Sequence, residues 1–155
     1  MRTGTILTLS LFLTTLFAGG QTKEIPIGVK VEAEGGGKAR GMWAQSAEDL
    51  TSSELKGLES LVTAEIKKQQ GIKLVSLNYP ENFIGVVVVA AKLPNGKTGA
   101  WYYVASSVLT VAKKDGTDEL LTHDVFAGTD LVSVARSVGF QFATARIRAA
   151  SGLWK

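Results

Sequence analysis

Residues 83–93, FIGVVVVAAKL, decide the fold. They form an apolar run bounded by turn residues, too short for a core helix and rich in β-branched side chains, which is the pattern of a buried strand. Both parities are hydrophobic: Ile84, Val86, Val88 and Ala90 on one side, Phe83, Val87, Val89 and Ala91 on the other. Such a strand has both faces covered. Something must therefore pack on each side of the sheet to which it belongs.

The chain on either side supplies further elements. Upstream, Asn78-Tyr79-Pro80-Glu81-Asn82 is a cluster of turn formers, preceded by the strand signal IKLVSL at 72–77. Before that, Thr51 and Glu54 stand at capping-box spacing, and Leu55, Leu58, Leu61, Val62 and Ile66 recur on one helical face. Lys67 and Lys68 lie in the last turn, and Gly71 offers a left-handed stop. Residues 25–34, IPIGVKVEAE, alternate as a half-buried strand whose Pro26 suits a strand start or a sheet edge.

Downstream, Pro94-Asn95-Gly96 and Lys114-Asp115-Gly116 mark hairpin turns on either side of a long strand over 98–113, and a strand over 118–127 follows. Thr129 and Asp130 then cap a final helix to about residue 149. Its apolar face carries Leu131, Val134, Ala135, Val138, Phe142 and Ala145. The order β-α-β-β-β-β-α predicts an α+β fold, a largely antiparallel five-stranded sheet with two helices on one face. Two helices cover one face of such a sheet. The second is left to the 35–50 connector, with Met42 and Trp43, or to another protein.

A type I turn at Pro-Asn-Gly ending in a left-handed glycine pairs Leu93 with Lys97, which sets Trp101 and Tyr103 on the face of Val89 and Val87. A two-residue loop would shift the register by one and move both rings to the other side. Buried, these aromatics are core; exposed, they could anchor a protein or stack on a sugar. The candidate partner or glycan surface is Trp101 and Tyr103 with Trp43, Val86 and Val88.

Residues 1–20, MRTGTILTLSLFLTTLFAGG, have a cationic start, an apolar core and a small-residue finish, which predicts a cleaved secretory signal peptide. Residues 21–50 then hold the amino-terminal strand and the Gly-rich connector, and 51–155 the remainder of a single domain. Ile6–Phe17 is shorter than a helix that crosses a bilayer, so no stable membrane span is expected after cleavage. The segment 16–20 resembles a lipoprotein lead-in, but glycine stands where the lipidated cysteine would be. A periplasmic or secreted product without a lipid anchor is therefore expected. The chain has no cysteine, so packing alone must hold it together.

The net charge of +3, one less without Arg2, is too small for nucleic-acid recognition. Arg136, Arg146, Arg148 and Lys155 do not share one helical stripe. His123 is the one histidine, too few ligands for a histidine-based zinc site. No metal or other cofactor is expected.

In the favoured register Ser107 lies opposite His123, but Asp124 points to the other face and no G-x-S-x-G elbow exists. Asp118, Glu119, Asp124 and Asp130 could serve carboxylate catalysis, yet each has an ordinary place at a turn, an edge or a helix start. Gly35-Gly36-Gly37-Lys38 has Glu32 and Ala39 where a phosphate loop needs glycine and a hydroxyl; it is a connector.

The strand IPIGVKVEA, the helix ending Glu65-Ile66-Lys67-Lys68, the segment GIKLVS at 71–76, the apolar hairpins and the closing helix together resemble small bacterial envelope domains. These are the amino-terminal domain of the Tol-system periplasmic propeller protein and the core of curli-secretion lipoproteins. The resemblance covers about residues 25–149 and lies in element order. It implies a non-catalytic part in envelope assembly or transport, with an envelope protein or a second copy as partner. A small envelope hydrolase using His123 and Ser107, or a glycan-binding domain using Trp101, is the alternative.

Overall fold

The computed structural model describes residues 23–33 and 47–153. In chain order the elements are β1 (Ile25–Ala33), β2 (Glu48–Asp49), α1 (Ser52–Lys67), β3 (Ile72–Leu74), β4 (Phe83–Pro94), β5 (Trp101–Ala112), β6 (Asp118–Gly128) and α2 (Leu131–Leu153). The fold is α+β, two helices on a mostly antiparallel sheet. The sheet has six strands where five were expected. Its order is β3-β1-β4-β5-β6, and the short β2 pairs with Ala91 and Lys92 of β4, beyond the last β1 residue paired there. β1 pairs in parallel with both neighbours, because α1 carries the chain back to the end at which β1 began.

Helix ends form where the side chains that satisfy them stand. The Glu54 amide donates to Thr51 Oγ1 at 3.2 Å, and the Thr51 amide donates to Glu54 Oε2 at 2.7 Å, closing the capping box. Asp130 Oδ1 accepts the Ser133 amide at 2.7 Å and caps α2. From α1, Leu58, Val62 and Ile66 are buried, and from α2, Val134, Ala135, Val138 and Phe142. They meet Ile27, Ile84, Val86, Val88, Leu109 and Val111 in one core. Each such side chain contributes about 1.5–3 kcal/mol through the area it removes from water. The helices approach closely at Gly139, where a Cβ would stand 2.7 Å from Glu65 Cβ.

Two local expectations are corrected. The strand expected over 72–77 is regular only to Leu74; one further bond joins the Val75 amide to the Ile27 carbonyl before the chain turns at Ser76–Tyr79. The β4–β5 register also differs: Leu93 faces Tyr102, not Lys97. The left-handed glycine that ends the turn is Gly99, at φ +69, and the Asn95 carbonyl accepts from the Thr98 and Gly99 amides. The longer loop changes the parity of the pairing. Tyr103 thus shares a face with Val86 and Val88 rather than with Val87 and Val89.

Candidate functional site

Because side chains alternate along a strand, the register sorts the sheet into two surfaces. Even positions of β4 and odd positions of β5 lie under the helices. The opposite surface carries Val87 and Val89 from β4, Val104, Ser106 and Val108 from β5, and Leu120, His123 and Val125 from β6. Among the described residues no helix covers it. Leu120 is 61% exposed and Val125 58%, and Tyr102, on the same side, is 42% exposed.

The two ends of this face are closed. At one, Ala47 packs on Ala91 and Val104, with Leu93 partly buried beside them. At the other, Leu77 and Phe83 fill the space over Gly28, and Tyr79 meets Phe83 edge-on with ring centroids 6.4 Å apart. Between them lie the half-buried Val87, Val89 and Val108 and the buried Ser106, bordered by the exposed Leu120, His123 and Val125 of β6.

The expected contact residues do not gather there. Val86 and Val88 are fully buried beneath the helices and present no surface. The residues of that strand on the opposite face are their neighbours Val87 and Val89. Trp101 and Tyr103 sit at the end of the sheet on the helix side. There Tyr103 donates to Glu54 Oε1 at 3.3 Å, Lys92 Nζ donates to Glu54 Oε2 at 3.3 Å, and the same Nζ lies 5.0 Å from the Trp101 ring centre. Burial by itself would raise the Glu54 carboxyl, but the donors on Thr51 and the Lys92 ammonium outweigh it and hold the group below the usual carboxylate range. Burial, and then the Glu54 charge, push the Tyr103 hydroxyl up. This cluster fastens the start of α1 to the sheet. Trp43, Met42 and residues 1–20 lie outside the described residues.

The serine that meets His123 is Ser106, not Ser107: Ser106 Oγ and His123 Nε2 are 2.7 Å apart, on the open face. Ser107 pairs across the strands with Asp124 and is fully buried under α2, where Gln141 Nε2 donates to its backbone carbonyl at 3.2 Å. Asp124 accepts from the Thr122 hydroxyl at 3.1 Å on the side away from His123. The serine–histidine pair therefore has no carboxylate from Asp124 to orient it, and it stands on a sheet surface rather than at a strained turn.

Several other carboxylates have local partners. Glu119 pairs with Lys113 at 3.2 Å. The Thr117 hydroxyl and amide hold the Asp115 carboxyl below its ordinary range, and the Ser133 amide does so for Asp130. Among the described residues no group of three or more His, Asp or Glu side chains is placed to hold a metal ion, and no helix is long and apolar enough to cross a membrane.

The signal that could have revealed the open face lies in β6. Leu120 and Leu121 are adjacent apolar residues, and a bulge opposite Leu109 and Thr110 sends Leu121 into the core and leaves Leu120 outside. Two successive leucines between acidic and polar neighbours, one needed on each side, suit such a bulge.

No family model and no curated protein matches the chain. Among solved structures, rare lipoprotein B from Shewanella oneidensis is similar at 12% identity over 80% of this chain and 86% of that one, with a TM-score of 0.25. At that level the likeness carries no argument.

Proposed function

We propose that the chain is an exported, non-catalytic binding or assembly module of the bacterial cell envelope that holds a partner protein on the open sheet face. The observation that carries the reading is the apolar strip opposite the helices, bordered by Leu120 and Val125, each more than half exposed. Monomeric proteins rarely leave contiguous apolar surface uncovered without a use. The leader-like residues 1–20 support export to the periplasm or beyond, and the element order resembles small envelope domains.

Cross-linking in envelope preparations, with Val108→Asp and Val125→Asp compared against Phe140→Asp, tests it. Phe140 is 73% exposed and lies on the helix layer, so it controls for loss of an exposed apolar residue. Adducts lost with the sheet variants alone support the open face; equal loss from all three, or from none, overturns it. Light scattering on the purified protein separates a foreign partner from a second copy.

The second reading, a small hydrolase, draws on the 2.7 Å contact between Ser106 and His123. Covalent capture of Ser106 by a fluorophosphonate, abolished in His123→Ala, would favour it. Retention on purified peptidoglycan, lost in Tyr102→Ala, would favour a glycan ligand instead.

A further inference from the structure

The long outer edge of the sheet is β6. Among the described residues its backbone bonds only to β5, so the groups pointing outward along 118–128 have no strand beside them. Natural edges carry lysine or proline that discourage pairing. Residues 118–128, DELLTHDVFAG, contain neither; their protection is acidic charge and the bulge at Leu121, and acidic charge repels like strands while leaving a basic one welcome.

Their charged side chains are acidic: Asp118, Glu119 and Asp124. Glu119 has Lys113, whereas Asp118 and Asp124 meet no cation among the described residues. The register sorts the edge by face. Asp118, Leu120, His123 and Val125 lie on the open side, and Glu119, Thr122, Asp124 and Phe126 on the helix side. A strand added here would meet carboxylates on both faces, Asp118 on the open side and Glu119 and Asp124 on the helix side, with no Lys or Arg from β6 beside them.

We propose that β6 accepts one further strand, an extended segment of a partner protein that carries Lys or Arg among apolar residues. Strand addition draws affinity from main-chain hydrogen bonds and selectivity from alternate side chains. The acids select the sign of the partner. Two copies of β6 side by side would join two strands whose charged side chains are all acidic, and like charges set opposite destabilise cross-strand pairs, which favours a basic partner over a second copy. The inference rests on the partner-binding reading above and names the partner's chemistry.

The test uses the full chain and a synthetic peptide of alternating Lys and Val, followed by fluorescence anisotropy. Two controls are a Glu–Val counterpart and a Lys–Val peptide N-methylated at alternate residues. The Lys–Val peptide should bind and slow amide exchange in 118–128. Both controls should bind at least roughly tenfold more weakly, since one has the wrong charge and the other cannot complete the ladder. Asp124→Lys and Asp118→Lys, both at exposed positions, should each weaken binding by about fivefold, the scale of one cross-strand charge pair.

Absence of Lys–Val binding, equal affinity for the N-methylated peptide, or indifference to both charge reversals overturns strand addition. A dimer strengthened by Asp124→Lys would make the occupant a second copy and overturns it as well. If these fail while Val108→Asp still abolishes cross-linking, the edge proposal falls and the open-face reading stands.

Discussion

Glu54 shows how one residue type serves several levels at once. Its carboxylate closes the cap of α1 and, through Lys92 and Tyr103, joins that helix to the far end of the sheet. Glu54→Gln keeps the shape and the capping box but removes the charge, and should cost about 1 kcal/mol in urea unfolding, the scale of charge-assisted hydrogen bonds made neutral. The pH dependence follows from the depressed folded pKa. The stabilisation is complete above the unfolded value of about 4.3 and is lost as pH falls through the lower folded value. Wild type and variant should therefore converge in stability between neutral and strongly acidic pH; a constant gap would mean the carboxyl is not depressed. Ser107 offers the opposite case. Its hydroxyl is fully buried and unpaired, as is Gln141 Oε1. An unmade buried hydrogen bond costs about 1–3 kcal/mol, so Ser107→Ala should leave the melting temperature unchanged or higher, and a clear fall would mean that the hydroxyl is satisfied.

At the scale of elements, the β4–β5 hairpin decides what the surface is made of. The loop offers two glycines, and only Gly99 adopts positive φ. No atom lies within 4 Å of a Cβ built at Gly96 or Gly99, so substitution isolates backbone strain from crowding. Gly99→Ala should destabilise by about 1 kcal/mol, because a side chain disfavours the left-handed region. Gly96→Ala should be neutral or slightly stabilising. Denaturant midpoints of the two variants check this, and the reverse order would restore the shorter turn and the register that goes with it. Both helices, by contrast, announce themselves locally. The Thr51–Glu54 box, the apolar face through Leu58, Val62 and Ile66, and Gly71 at φ +71 are each visible within a few residues of sequence.

For the whole molecule, the division into a packed face and an open face makes opposite forecasts for residues of similar size. Val88 is fully buried and Val125 is 58% exposed. Val88→Asp places an unpaired carboxyl in the core and should unfold the domain or cost more than about 4 kcal/mol. Val125→Asp should change stability by no more than about 0.5 kcal/mol, while circular dichroism stays native. Equal damage from both would mean that the open face is covered within the molecule. Most of the element order and the fold class were legible in advance, but Val86 and Val88, read as candidate surface, are buried beneath the helices. Val86 and Val87 are chemically alike in sequence, and both sides of that strand are apolar, so nothing local marks which one meets the helices.

The sequence alone determined what depends on neighbours along the chain: the two amphipathic helices, their caps, the long β4 and β5 strands and the two hairpins. Tertiary structure decided what depends on neighbours across the sheet. Pairing has a period of two, so the length of one loop, ending at Gly99, inverted the faces of a whole hairpin. The same long-range pairing set β1 between two parallel partners and joined His123 to Ser106. Such contacts arise only when distant strands align, and no short stretch of the chain encodes the alignment.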